Sequence, residues 1–177
     1  MTISEKDRSG QITQSGNGHF PEFVTQLVGS NFIEECRASL IQQGFISPHD
    51  ILEVLPPDKR THPDSKAIYF AKAKAGAHRV WISGIPAGSW TSLHSHPGRE
   101  DRAPVYERYE CIGGECEVWI EGRFEKLRVG QTFRVWPGEE HAVKTNGSGA
   151  ILLIVAENGG FYSEEELHRN RRPAPFK

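Results

Sequence analysis

The chain has 177 residues, of which 37% are hydrophobic and 25% are charged, and its formal net charge is −2. This length suits a single domain with a hydrophobic core. The charge argues against nucleic-acid binding, which needs clustered lysines and arginines, and no run approaches the roughly 20 apolar residues of a membrane span.

The N-terminal segment, residues 1–19, is rich in serine, glycine and glutamine and contains few apolar residues. We interpret it as a flexible arm. It lacks the apolar centre of a signal peptide, and the three cysteines of the chain are too few for a disulfide framework. We therefore expect a cytoplasmic protein.

Residues 20–65 are predicted to form an extension of short helices and loops. Asn31, with Glu34 three residues later, resembles a capping box, and Gly44 is a plausible helix stop. The apolar residues of this helix fall on one face: Ile33, Cys36, Leu40 and Ile41. A second short helix is predicted to begin at Ser47-Pro48 and to end before Pro56-Pro57. Such an extension is suited to covering an exposed barrel edge.

Residues 66–157 change to short β-like runs separated by glycine and proline. The predicted strands are 67–73, 77–85, 91–96, 105–112, 115–121, 132–136, 140–145 and 150–156. Strands spaced about ten residues apart predict an all-β sandwich or barrel. The tail, residues 158–177, opens with Ser163 and Glu166 in another capping-box spacing, which predicts a short C-terminal helix.

Two histidines lie one residue apart in the stretch W-T-S-L-H-S-H. Because side chains at i and i+2 of a strand point the same way, His94 and His96 share a face. Glu107 has the same strand parity as Tyr109 on the next predicted strand, and a Pro-Gly turn precedes His141. Three imidazoles and one carboxylate suit a divalent first-row metal, whether Fe, Mn, Co, Ni, Cu or Zn.

These residues stand in two motifs that resemble those of the cupin family. Residues 88–114 are similar to the first cupin motif, G-x5-H-x-H-x(3,4)-E-x6-G, and residues 130–146 to the second, G-x(5–7)-P-x-G-x2-H-x3-N. The resemblance implies a double-stranded β-helix, a jelly-roll-like barrel, that holds one metal ion near its mouth. By motif position, the metal ligands would be His94, His96, Glu107 and His141.

The chain departs from the family pattern in two places, and the first departure leaves the identity of the carboxylate ligand open. Ten residues separate His96 from Glu107, where the motif has three or four, and the turn before His141 is one residue short. Glu100 matches the first spacing but has no glycine seven residues later. Glu107 leads into Gly114 at the required spacing, while Glu110 has the opposite strand parity.

Several other residues are candidates for the surroundings of the metal. Tyr109 and Cys111 share the strand parity of Glu107, so each of them could line the cavity or could simply fill the barrel. Tyr109 is also a catalytic candidate. Cys111 and Cys116 flank a predicted Gly-Gly turn, and we interpret them as two small buried residues rather than as a metal-binding or cross-linked pair that face each other across a hairpin. The remaining candidates are Trp90 and Trp136 as pocket walls, the loop Arg99–Arg102 over the mouth, and His78 or Arg79 from the preceding strand.

The resemblance implies several functions. The leading hypothesis is a metal-dependent enzyme acting on a small organic molecule, most simply a non-haem dioxygenase or other oxidoreductase, with Glu107 as ligand and base. The alternatives are a metal-dependent sugar isomerase or epimerase, and a non-catalytic ligand-binding protein. We expect a homodimer by analogy, with no nucleic-acid or membrane partner.

Overall fold

A computed structural model describes residues 20–56, 65–76, 78–96, 106–157 and 172–174. The predictions for the N-terminal arm, for Glu100 and the loop Arg99–Arg102, and for a C-terminal helix at Ser163 lie outside these residues. No helix within the described ranges has the length and apolar character needed to cross a bilayer.

Two short helices precede a set of antiparallel strands. The helices are α1 (Glu22–Val28) and α2 (Phe32–Gln42). The strands are β1 (Glu53–Val54), β2 (Ile68–Ala75), β3 (His78–Ile85), β4 (Tyr106–Ile120), β5 (Arg123–Arg128), β6 (Thr132–Val135), β7 (His141–Lys144) and β8 (Ala150–Glu157). They pair in the order β1-β2-β3-β8-β4-β5, with β6 and β7 also on β4. The predicted all-β class with short N-terminal helices is confirmed.

Strand β4 passes through both halves of the sheet as one 15-residue strand. The turn predicted at Gly113-Gly114 is wrong, because β4 continues through both glycines. The chain instead shifts register against β8 between Cys111 and Gly113, and Gly114 takes a φ of 70° where a Cβ would meet the carbonyl oxygen of Gly149. The glycines therefore mark a bulge rather than a hairpin, because a bulge bends a strand without ending it.

The N-terminal extension differs from its prediction in three places. The Asn31 side chain makes no capping hydrogen bond, although Gly44 does end α2 with a φ of 76°. Residues 47–50 form a turn rather than a helix, since the Ser47 N–H is donated to the Asp50 carboxylate and the Asp50 N–H to the Ser47 carbonyl oxygen. Helix α1 was not predicted. Its seven residues are too few for stability alone, so its burial of Val24 must hold it in place.

Strands β2, β3 and β8 form a sheet that is buried on both faces. On the outer face they pack against the two helices through residues such as Phe70, Ile82 and Leu153. On the inner face, Leu152 and Ile154 join the core of the barrel. Successive residues of β8 thus alternate between two cores, as strand geometry requires. The extension covers this outer face, and β1 pairs with β2 at the sheet edge.

The predicted strand 91–96 contributes isolated bridges instead of a continuous ladder. Its main chain pairs at His94 with His141 and at Leu93 with Arg172. The segment therefore lies between β7 and the described C-terminal residues. Strand β5 was not predicted, because its side chains are charged and exposed and only Leu127 is buried.

Candidate metal centre

His94 and His141 are paired by an isolated antiparallel β-bridge. The His94 N–H is donated to the His141 carbonyl oxygen at 3.1 Å, and the His141 N–H to the His94 carbonyl oxygen at 2.8 Å. The two ring centroids are 4.2 Å apart, and the His96 ring lies 5.0 Å from His94 and 5.2 Å from His141. Backbone pairing thus brings the three predicted imidazoles together.

Glu107 reaches the same point from the first half of β4. Its Oε2 lies 3.0 Å from Nε2 of His96 and 3.3 Å from Nε2 of His141. The four ligand atoms lie within 4.8 Å of one another, and all four residues are buried. A metal bound to imidazole nitrogen at roughly 2.0–2.1 Å separates opposite ligands by about 4.2 Å at most. The four side chains therefore fit one first-row ion with only small adjustments.

Two of the rings are oriented by contacts between Nδ1 and a backbone carbonyl oxygen. Nδ1 of His94 lies 3.0 Å from the carbonyl oxygen of Ser92, and Nδ1 of His141 lies 3.1 Å from that of Glu139. A carbonyl oxygen only accepts hydrogen bonds, so we assign the ring proton to Nδ1 in both. Nε2 then carries the lone pair, which is how metal-binding histidines are commonly oriented.

The charge of Glu107 favours a cation at this point. Burial raises the pKa of Glu107, but His96 and His141 outweigh it and hold that pKa well below its usual range. The carboxylate also accepts a 2.6 Å hydrogen bond from the Tyr109 hydroxyl on Oε2. An ionised carboxylate at 6% exposure is costly unless positive charge lies beside it. A divalent ion bound to neutral imidazoles would supply that charge.

The rival carboxylate and the cysteines lie elsewhere. Glu110 points away from Glu107 and forms an ion pair with Arg108 at 2.9 Å. Cys111 and Cys116 do not face each other across a hairpin, because β4 continues between them. Burial raises the pKa of the Cys111 thiol to about 11, so it is protonated at neutral pH. Glu107 is thus the carboxylate that meets the three histidines among the described residues.

A cleft with about 400 Å³ of empty space, part of it open to solvent, leads to His94 and Glu107. Its lining comprises Ala67, Tyr69, Trp81, Ser83, Thr91, His94, Glu107, Tyr109, Leu152 and Ile154. Tyr109 thus lines the cavity, as one of its two interpretations held. The rings of Tyr69 and Trp81 stack with centroids 6.4 Å apart and form an aromatic wall of this cleft.

This wall does not contain the two tryptophans that the sequence suggested, Trp90 and Trp136. Trp136 is 53% exposed and packs against Tyr106 outside the cleft, and Trp90 is not among the lining residues. Strand parity places Trp81 on the same face of β3 as Ser83, but parity alone does not tell which face of the strand points into the cleft. His78 has the opposite parity, and its ring packs on Phe45 of the extension at 5.5 Å.

Comparison with known proteins found similarity to solved structures. No protein-family model and no curated protein matches the sequence. A conserved protein with a double-stranded β-helix domain from Klebsiella pneumoniae is 20% identical, with a TM-score of 0.48 over 57% of this chain and 84% of that one. A cupin protein from Bacteroides fragilis is 21% identical, with a TM-score of 0.41 over 49% and 70%.

A cupin-2 domain protein from Shewanella frigidimarina is 14% identical, with a TM-score of 0.40 over 54% of this chain and 81% of that one. These neighbours are described as cupin or double-stranded β-helix proteins, the family that the two motifs resemble. At such identities the likeness concerns the fold, and the chemistry must be sought in the side chains of the site.

Proposed function

We propose that this cupin-like chain is a metal-dependent enzyme that acts on a small organic molecule, and that it is an oxygenase. One observation carries the proposal: four buried ligand atoms, from His94, His96, Glu107 and His141, lie within 4.8 Å of one another beside an open cleft. A site of this kind can leave coordination positions for a substrate. When bound, a divalent first-row ion supplies a Lewis acid and, if redox-active, a route for electrons.

The side chains of the chain would divide the remaining work. The stacked rings of Tyr69 and Trp81 offer a flat apolar surface for a substrate, and Leu152 and Ile154 exclude water from it. The Tyr109 hydroxyl fixes the Glu107 carboxylate through its 2.6 Å hydrogen bond. We propose Glu107, which is ionised, as the base that takes a proton from a substrate in the cleft, although its lowered pKa makes it a weak base.

The lining of the cleft favours an oxygenase over a sugar isomerase. A polyol would need several hydrogen-bonding side chains around it. Here the Thr91 hydroxyl already accepts the Val143 N–H at 2.8 Å, and the Tyr109 hydroxyl is directed at Glu107. The aromatic wall of Tyr69 and Trp81 instead suits an organic molecule with an apolar body.

A second candidate, an isomerase or epimerase, is supported by the pair of Glu107 and Tyr109. A carboxylate beside a phenol, both at the cleft surface, is suited to removing a proton at one carbon and returning it at another. This chemistry needs no oxygen. Oxygen dependence therefore separates the two candidates directly.

The test starts with elemental analysis of protein purified without added metal. We expect about one first-row ion per chain, and turnover of members of a small-molecule panel with matching consumption of dissolved oxygen. His96→Ala should lose metal and turnover together, while His49→Ala, a histidine outside the site, should keep both. Product formation without oxygen would favour the isomerase. Full activity in metal-free protein would exclude both, and binding without turnover would leave a ligand-binding protein.

A further inference from the structure

The inner face of the sheet carries two positive charges next to the aromatic wall, Arg79 and Lys74, for which the described residues provide no ion-pair partner. Arg79 lies two residues from Trp81 on β3, so the two side chains share the face that lines the cleft. The register places Lys74 of β2 directly opposite Arg79 on one side and Ala156 of β8 on the other. Ala156 in turn pairs with Glu107 of β4, so Arg79 and Glu107 occupy one row across the sheet.

Two observations indicate that this arginine awaits an anion. Nε of Arg79 is buried and has no hydrogen-bond partner within the described part of the chain. A buried donor without a partner is costly, and like charges directly opposite each other on neighbouring strands are destabilising. The nearby Lys72 is neutralised by Glu53 at 3.5 Å, but no described acidic side chain forms an ion pair with Arg79 or Lys74.

The spacing of the row fits a small acid. With strands about 4.8 Å apart, the Cα atoms of Arg79 and Glu107 are separated by roughly 10 Å across Ala156. Alanine places only a methyl group in the middle of that row, and Ala156 itself is buried. A molecule lying there would have one end at the guanidinium and the other at the four ligand side chains, with its body against Trp81.

We infer that Arg79 binds the carboxylate of the substrate, and that the substrate is therefore a small organic acid. This inference rests on the proposed function of the metal site and names the class of molecule that the site would take. Arginine suits the role because its planar fork donates two hydrogen bonds to one carboxylate. Lys74 adds positive charge that draws the acid to the mouth.

The test compares an acid with an uncharged molecule of the same carbon skeleton. Malate and butane-1,2,4-triol are titrated into protein as purified, at constant ionic strength, by calorimetry. We expect the wild type to bind malate at least about tenfold more tightly than the triol, as charge-assisted bonding predicts. Arg79→Gln should abolish this preference, and Arg79→Lys should retain part of it. The matched control is Arg123→Gln, an exposed arginine of β5 outside the cleft, which should behave as wild type.

Stability measurements guard against a purely structural role. Without any acid, Arg79→Gln should be at least as stable as wild type, because the substitution relieves the repulsion from Lys74. A loss of stability would indicate that an acidic side chain of this chain is the partner, and would overturn the inference. Equal binding of malate and triol by wild type, or an unchanged preference in Arg79→Gln, would also overturn it.

Metal analysis of the same samples separates this inference from the proposed function. If the protein holds no metal but its preference for malate still depends on Arg79, the metalloenzyme fails and the acid site stands. If metal is present at one ion per chain in both proteins while malate binding ignores Arg79, the acid site fails and the metal centre stands.

Discussion

The two faces of the sheet formed by β2, β3 and β8 are both buried, but they are buried in different ways. The outer face packs through apolar side chains on the helical extension, as with Phe70 against Phe20 and Phe32. The inner face mixes apolar residues with Tyr69, Trp81 and Arg79, and its Tyr69 and Trp81 line the same cleft as His94 and Glu107. The outer face stabilises the fold through apolar packing. The inner face also buries polar groups, which we propose serve binding.

The largest effect expected from this contrast is on the outer face. Phe70 is fully buried, and its ring packs edge-on against Phe20 at 5.8 Å and Phe32 at 6.1 Å. We expect Phe70→Ala to lower the free energy of unfolding by about 3–5 kcal/mol, while the folded protein keeps its metal content. Chemical denaturation measures the loss. Phe124→Ala, at a ring that is 45% exposed, is the matched control with a much smaller effect.

If Phe70→Ala lost metal while remaining folded, the two faces would not be independent. The packing of the outer face and the metal site on the inner face would then be coupled in a single core. Separate denaturation and elemental analysis of the same sample distinguish these outcomes.

The next effect concerns the inner face and its dependence on pH. In metal-free protein, we expect Glu107→Gln to lower the free energy of unfolding at neutral pH by roughly 3 kcal/mol, because it removes one partner of a buried charge network. The pKa of Glu107 is lowered in the folded state, so its ionised form contributes stability above the unfolded pKa of about 4.3. That contribution is lost as pH falls from there through the folded pKa.

The gap in stability between wild type and Glu107→Gln should therefore narrow as the solution is acidified below about pH 4.3. Glu115→Gln, on an exposed part of β4, should show no such narrowing. A gap that stays constant with pH would mean that Glu107 is not the ionised group of the site.

The contrast between the faces also explains what the sequence could predict. The grouping of His94 with His96 depends on strand parity, a local property, and the Pro-Gly turn marks the start of β7 near His141. The aromatic wall depends on the register of β2 and β3, which are neighbours in the chain, against β8, which is far from both. Parity alone could pair Trp81 with Arg79, but it could not say that their face, rather than that of His78, points inward.

Glycines misled the prediction in a different way. Gly113-Gly114 has the composition of a hairpin turn, but the strands on both sides pair with partners elsewhere, so the chain has no need to reverse. Strand β5 was missed for the converse reason, since its mostly charged and exposed residues lack a strand pattern, yet its backbone pairs with β4. In both places long-range pairing overrode a local preference.

A smaller effect is expected where Tyr109 touches Glu107. Tyr109→Phe removes a 2.6 Å hydrogen bond to a buried carboxylate, a contact worth about 1.5–3 kcal/mol. Because the hydroxyl orients a ligand, we expect metal affinity to fall by roughly 10–100-fold. Competition with a chromophoric chelator measures it. Tyr106→Phe, at a ring that packs on Trp136 outside the cleft, is the matched control and should not change the affinity.

The smallest effect tests how firmly the described C-terminal residues hold the ligand segment. Arg172 exchanges backbone hydrogen bonds with Leu93, next to His94, and its guanidinium contacts both carboxylate oxygens of Glu140 at 2.6 and 2.7 Å. The ion pair is largely exposed, so Arg172→Ala should cost only about 0.2–1 kcal/mol. Metal affinity should fall at most severalfold, because the main-chain bonds beside His94 remain. Arg172→Pro would remove the N–H donated to Leu93, and a clearly larger loss of affinity in this variant would locate the support in the backbone. Equal losses in both variants would place it in the side chain.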